Sequence, residues 1–172
     1  MQKVREAEVE RLTSFIPPYP GVAIFHMADN GVGFCRMLDA YAKAHDYTYH
    51  PVSANEDFIE TLHAEGLSGA RKITYKQQRY NQHSKKYDYI YIEIDPLQLE
   101  KPQLFMKKIY AISKNGAKIL FIQPKASGDL GRLEQLLEEG NFVAINPIDD
   151  IFEDYYVLGA QKMHGWGVYD MH

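Results

Sequence analysis

The chain has 172 residues, 45% apolar and 24% charged, the balance of a globular protein whose length allows about 68–70% of the unfolded surface to be buried without disulfides or a structural metal. Its 19 Lys plus Arg against 23 Asp plus Glu leave a formal charge of -4, too weak a field to draw the whole molecule to nucleic acid or anionic lipid. A single cysteine, Cys35, excludes an internal disulfide, and with neither a ~20-residue apolar span nor a signal-like start the expected compartment is the cytoplasm, away from membranes.

The first helix is expected from Gln2 to about Ile16, where Val9, Leu12 and Ile16 recur at helical spacing, and Pro17, Pro18, Pro20 and Gly21 stop it. Short aromatic and β-branched runs then alternate with longer stretches of helical period, without an internal repeat. This is the pattern of a parallel sheet covered by helices. Gly21 to His26 reads as the first strand, and Phe34, Met37, Leu38, Tyr41 and His45 mark one face of the helix that follows. Tyr47 to Val52 is the second strand. Ser53-Ala-Asn-Glu56 has the spacing of a capping box, in which serine and glutamate satisfy each other's orphan amides; its helix presents Phe58, Ile59 and Leu62 and ends at Gly66.

Arg71 to Lys76 is expected as the third strand and Tyr87 to Ile94 as the fourth, separated by the polar segment Gln77 to Lys86. Pro102 to Ser113 is a helix closed by Asn115-Gly116, a pair suited to the left-handed residue past a helix end. Ala117 to Gln123 follows as the fifth strand. Ser127 or Asp129 caps the next helix, with Leu130, Leu133, Leu136 and Leu137 inward and Gly140 at its end. Phe142 to Ile145 and Tyr155 to Ala160 complete the set; their connection is too short for a crossover helix, so they should pair antiparallel.

Three passages in this order carry a resemblance. Val22-Ala-Ile-Phe-His-Met-Ala-Asp-Asn-Gly-Val-Gly33 is a strand followed by a glycine-bearing turn. Tyr87-Asp-Tyr-Ile-Tyr-Ile-Glu-Ile-Asp95 opens on an aromatic-Asp pair and finishes polar, and Lys114-Asn-Gly-Ala-Lys-Ile-Leu-Phe121 leads from a turn into a strand. Over about residues 10 to 165 the chain thereby resembles the class I S-adenosylmethionine-dependent methyltransferases. The likeness implies an α/β fold, a Rossmann-like three-layer sandwich with a seven-stranded, mostly parallel sheet and an antiparallel last strand. It implies one domain over 1–172, with an N-terminal helix and Pro-rich linker (1–20), an α/β core (21–163) and a C-terminal tail (164–172).

The resemblance further implies S-adenosylmethionine as cofactor, held by His26, Ala28, Asp29, Asn30, Gly31 and Gly33 after the first strand and by Ser53 and Glu56 after the second. In that family the turn glycines let bare backbone approach the methionine portion, and an acid ending the second strand takes the ribose hydroxyls. Gly31 and Gly33 match the last two turn glycines. Asp29 stands in place of the first, Met27 where the family has an acid, and no carboxylate follows the second strand until Glu56. If Glu56 serves as a helix cap, the ribose acceptor is missing. These departures favour an alternative to the methyltransferase: an inactive relative acting as a binding or oligomerisation module.

Glu93 and Asp95 are the catalytic candidates, because residues two apart on a strand share a side and this pair lies at the carboxyl end, where open parallel sheets bind ligands. Asp95-Pro96 repeats the start of the acidic-Pro-Pro-aromatic motif of enzymes that methylate base amino groups, but Leu97 and Gln98 do not continue it, and Asp95 equally suits a turn before Pro96. His26 is either a base or hydrogen-bonding group near neutral pH or a satisfied structural histidine. Asp29 and Asn30 either ligate the amino group of a methionine portion or form a turn. Cys35 suits a buried small hydrophobe better than a nucleophile.

The run Arg71 to Lys86 carries six Lys or Arg, two tyrosines and no acid; a solvated strand and loop is favoured over single-strand nucleic-acid contacts. His45, His50, His63, His83, His164 and His172 show no ligand spacing, so no metal site is expected. The aromatic tail Gly165 to His172 suits a flap over a pocket or a partner surface. The expected partner is a small-molecule ligand, with self-association left open.

Overall fold

A seven-stranded sheet organises the computed structural model, which describes residues 4–16, 19–74 and 86–163. Its strands are β1 (Ala23–Met27), β2 (Thr48–Ser53), β3 (Arg71–Lys72), β4 (Tyr87–Ile92), β5 (Ser113–Pro124), β6 (Phe142–Pro147) and β7 (Tyr155–Lys162). The spatial order is β3-β2-β1-β4-β5-β7-β6. β1 through β5 run parallel, and β7 is antiparallel to both β5 and β6.

Among the described residues five α-helices cover the sheet: α1 (Glu6–Thr13), α2 (Val32–His45), α3 (Glu56–Ala64), α4 (Pro102–Ile112) and α5 (Leu130–Glu139). Side chains alternate across a strand, so β1 feeds two cores. Ile24 packs with Leu12, Leu38 and Leu62 on the side of α1, α2 and α3. Phe25 and Met27 pack with Phe105, Ile109 and Leu137 on the side of α4 and α5. The Tyr91 hydroxyl donates to the Leu12 carbonyl at 3.1 Å, tying α1 to the middle of the sheet. This is the expected three-layer α/β sandwich. No described helix is long and apolar enough to cross a membrane.

Several local expectations change. The capping box does not form: Asn55 is the N-cap, its Oδ1 accepting the Phe58 amide at 3.3 Å, while Ser53 belongs to the end of β2. Asn115-Gly116 does not close α4. The chain passes from Ile112 straight into β5, and the pair lies in an irregularity where the β4–β5 register slips between Tyr87 and Tyr89, with Gly116 at φ +83°. A residue that tolerates φ > 0 serves a bulge as well as a helix end. On α2 the buried face is Phe34, Cys35, Leu38 and Ala42, with His45 at the surface stacked on Tyr47. Asp129, not Ser127, caps α5. The turn that Asp95-Pro96 suited in the sequence is a 3-10 turn, Pro96–Gln98, with Asp95 as its N-cap. The segment 75–85, most of the basic run, and the tail from 164 lie outside the described residues.

Candidate functional site

Sheet order reverses beside β1: α2 carries the chain from β1 to β2 on one side, and β4 pairs on the other. Two helical crossovers diverging at this point leave a crevice at the carboxyl ends of the strands. There the Ala28 amide donates to the Val52 carbonyl at 3.1 Å and the Glu93 amide to the Met27 carbonyl at 2.9 Å, so the ladder continues to the rim and places Ala28 and Glu93 side by side. Asp29 and Asn30 turn the chain into Gly31, which is left-handed at φ +91° and accepts the amides of Phe34 and Cys35 to start α2. A β-branched residue at Gly31 would be strained. Gly33 sits in the first turn of α2 with open space where a Cβ would stand, so no close approach within the protein requires it.

The resulting cavity has a volume of about 300 Å³ and is lined by Asp29 and Asn30 on one side and by Glu93, Asp95, Gln98 and Leu99 on the other. Each wall is anchored from behind. Fully buried Ser53 donates its hydroxyl to Asp29 Oδ1 at 2.7 Å and accepts the Asn55 amide at 3.0 Å, fastening the β1 turn to the end of β2. Asp95 Oδ1 accepts the Leu97 amide at 3.0 Å and so caps the 3-10 turn. The Gln123 side chain donates to the Ile94 carbonyl at 2.7 Å from the end of β5. The Asp95-Pro96 turn was legible in the sequence but not that it would carry Gln98 and Leu99 to the cavity, and Gln123 gave no signal because its partner, the Ile94 carbonyl, is 29 residues away.

His26, expected beside the cofactor loop, is enclosed between β1 and α2 and reaches the cavity through Glu93. Its ring is 0% exposed. Nδ1 pairs with the Tyr49 hydroxyl at 2.7 Å, Nε2 bonds the Glu93 carboxylate, and the edges of Phe34 and Tyr91 close around it. Cys35 Sγ lies 3.8 Å from Nδ1. Burial by itself depresses the imidazole, yet the Cys35 sulfur and the Glu93 carboxylate outweigh it and push the group from 6.5 up to about 9. Burial, with Cys35 and Glu93 adding to it, also holds the Tyr49 phenol well above its ordinary value. The imidazole therefore carries its proton at neutral pH and forms a buried ion pair with Glu93.

Glu56 is not consumed as a cap. It stands at the start of α3, exposed, with Lys72 Nζ 3.5 Å from its carboxylate. Met27, in the place of the family's acid, is fully buried against the α4–α5 side, facing away from the crevice. Among the described residues no cluster of His, Cys, Asp and Glu has the arrangement of a metal site.

Solved structures resemble this architecture over nearly the whole chain. A SAM-dependent methyltransferase from Aquifex aeolicus matches with TM-score 0.69 at 14% identity, covering 89% of this chain and 88% of that one. The chain has the class I methyltransferase fold. A SAM-dependent O-methyltransferase from Thermotoga maritima gives TM-score 0.69 at 15% identity over 95% of this chain and 67% of that one. Phosphoethanolamine N-methyltransferase 2 from Haemonchus contortus, in complex with S-adenosyl-L-methionine, gives 0.67 at 12% identity over 91% of this chain and 52% of that one. This chain thus spans about half the length of that enzyme. No family model and no curated protein matches the sequence. On this fold Asp29 and Asn30 and the Glu93–Asp95 segment line one crevice.

Proposed function

We propose that the chain binds S-adenosylmethionine in the cavity beside Gly31 and transfers its methyl group to a small-molecule acceptor. The observation that carries this is the cavity's place: it opens at the switch point between β1 and β4, bounded by a left-handed glycine turn and two carboxylates, on the methyltransferase strand order. The residues present fit the amino-acid end of that cofactor. Left-handed Gly31 turns the chain so that exposed Asp29 and Asn30 offer a carboxylate and an amide for an ammonium group, and Ser53 holds Asp29 in place. Glu56, exposed at the start of α3 just past β2, would serve the ribose, since Asn55 has taken over the capping role, while buried Ser53 at the end of β2 would act by holding Asp29.

When bound, S-adenosylmethionine supplies a sulfonium methyl for in-line attack, so the protein's share is chiefly proximity and orientation. Glu93 and Asp95 would face the acceptor. Asp95 Oδ1 is held by the Leu97 amide, which leaves Oδ2 as the oxygen able to accept an acceptor's proton. His26 would act through Glu93, without touching either substrate. In this reading residues 1–172 are one domain working in the cytoplasm.

Calorimetry with S-adenosylmethionine and S-adenosylhomocysteine tests the reading. Saturable binding that Gly31→Val abolishes, in protein still folded by circular dichroism, supports it. No heat at millimolar ligand sinks it and leaves the alternative, an inactive methyltransferase fold used for binding or oligomerisation, which the replacement of two family positions by Met27 and Asp29 favours.

A further inference from the structure

A line of buried polar groups reaches the cavity from within the sheet. Tyr49 on β2, His26 on β1 and Glu93 just past β4 lie on a diagonal across three adjacent strands, Tyr49 in register with Ile24 and Glu93 beside Ala28. The Tyr49 hydroxyl lies 2.7 Å from His26 Nδ1, His26 Nε2 bonds Glu93, and Glu93, with its side chain only 5% exposed, forms part of the cavity wall. An interior built for stability alone gains little from such a set, because desolvating an ion pair costs about as much as its attraction returns. The line also ends at the cavity, not inside the core.

We propose that His26, seated on Tyr49, is a positioning residue that fixes the Glu93 carboxylate at the cavity wall and couples the binding of a cationic ligand there to loss of the imidazole proton. The proposal rests on the cavity being the S-adenosylmethionine site. A sulfonium or ammonium centre beside Glu93 competes with the imidazolium for the same carboxylate and repels it. Binding therefore weakens the hold of His26 on its proton, and by reciprocity removing that proton strengthens binding. Tyr49 makes both states tolerable. Its oxygen accepts from Nδ1–H in the imidazolium, and its O–H donates to bare Nδ1 once that proton has left for solvent, while Nε2–H stays on Glu93.

The groups around the imidazole are the Cys35 thiol and Phe34 from α2, Tyr49 from β2, Tyr91 from β4, and Glu93; Asp39 on α2 acts on Tyr49. Asp29 and Asp95 share the cavity with Glu93. Among these described groups His26 is the one imidazole, and the loss of proton release in His26→Gln, with Cys35 and Tyr49 still in place, is what assigns a released proton to it.

Two measurements test this. In imidazole NMR titrations His26 should titrate well above the exposed histidines in the unaltered protein and fall back in Glu93→Gln; a His26 titration unmoved by that change overturns the proposal whether or not any ligand binds. In calorimetry over buffers of different ionisation enthalpy, S-adenosylmethionine should bind with proton release and tighten by up to about tenfold per pH unit below the His26 transition. S-adenosylhomocysteine, lacking the sulfonium charge, should release fewer protons. His26→Gln, which can still donate to Glu93, should bind with a flat pH profile. Binding with no proton release, or an equal slope in His26→Gln, overturns the coupling and leaves the cofactor site standing; absence of any binding in the unaltered protein overturns the site itself.

Discussion

Raising the pH should destabilise this protein through one residue. Against the opposing effect of burial, Cys35 and then Glu93 push the folded His26 imidazole from 6.5 up to about 9, so below pH ~6.5 folded and unfolded chains are both protonated there and these contacts contribute in full. Between ~6.5 and ~9 the unfolded chain has lost the proton that the folded state retains, and stability falls by up to ~1.4 kcal/mol per pH unit. Above ~9 the contribution is gone. Summed over that interval the loss is about 3 kcal/mol, a large part of the ~5–15 kcal/mol that holds a domain together. The assay is urea unfolding followed by circular dichroism at several pH values from about 6 to about 10, on the unaltered protein and on Glu93→Gln. The difference between the two curves removes the contributions of surface histidines. Parallel curves would refute the reasoning, because they would mean that Glu93 does not hold the His26 proton.

Three further variants probe the frame around the site. Tyr91→Phe leaves the Leu12 carbonyl without its 3.1 Å donor inside the core and should cost about 1–3 kcal/mol, seen as a lowered urea midpoint at unchanged slope. Lys162→Met keeps the apolar stem but removes the ammonium that donates at 2.9 Å to both the Tyr110 and Ser113 carbonyls, where α4 runs directly into β5. A loss of about 1.5–3 kcal/mol is expected, and amide exchange should quicken first at the end of α4. Asn55→Ala removes the true cap of α3 and should cost about 1 kcal/mol, whereas Glu56→Ala should leave thermal stability within about 0.5 kcal/mol, because the Glu56 side chain plays no capping part.

Much of the architecture was legible from pattern alone. Short continuous apolar runs located β1, β4 and β5, which lie between two helical layers, and stretches at period 3.6 located every described helix, since a helix must bury one side and the spacing of its apolar residues states which. The short 146–154 connection required β6 and β7 to be antiparallel, because a parallel return needs a crossover that length cannot hold. Glu93 and Asp95 were marked by their place at a strand end and Asp29 by the family resemblance, and the fold brings these three to one cavity. What depends on distant partners was not legible. Ser53 looked like a cap because its spacing to Glu56 is right, yet it is drawn to Asp29, 24 residues away. Asn115-Gly116 looked like a helix end because both uses need the same backbone angle, and pairing with β4 selected the bulge. His26 meets Tyr49 at a separation of 23 residues and Glu93 at 67; no local spacing encodes such a meeting. Periodicity reports how much of each segment must leave water, whereas the partners of a buried polar group, and the charge it carries, are set by which strands the sheet places side by side.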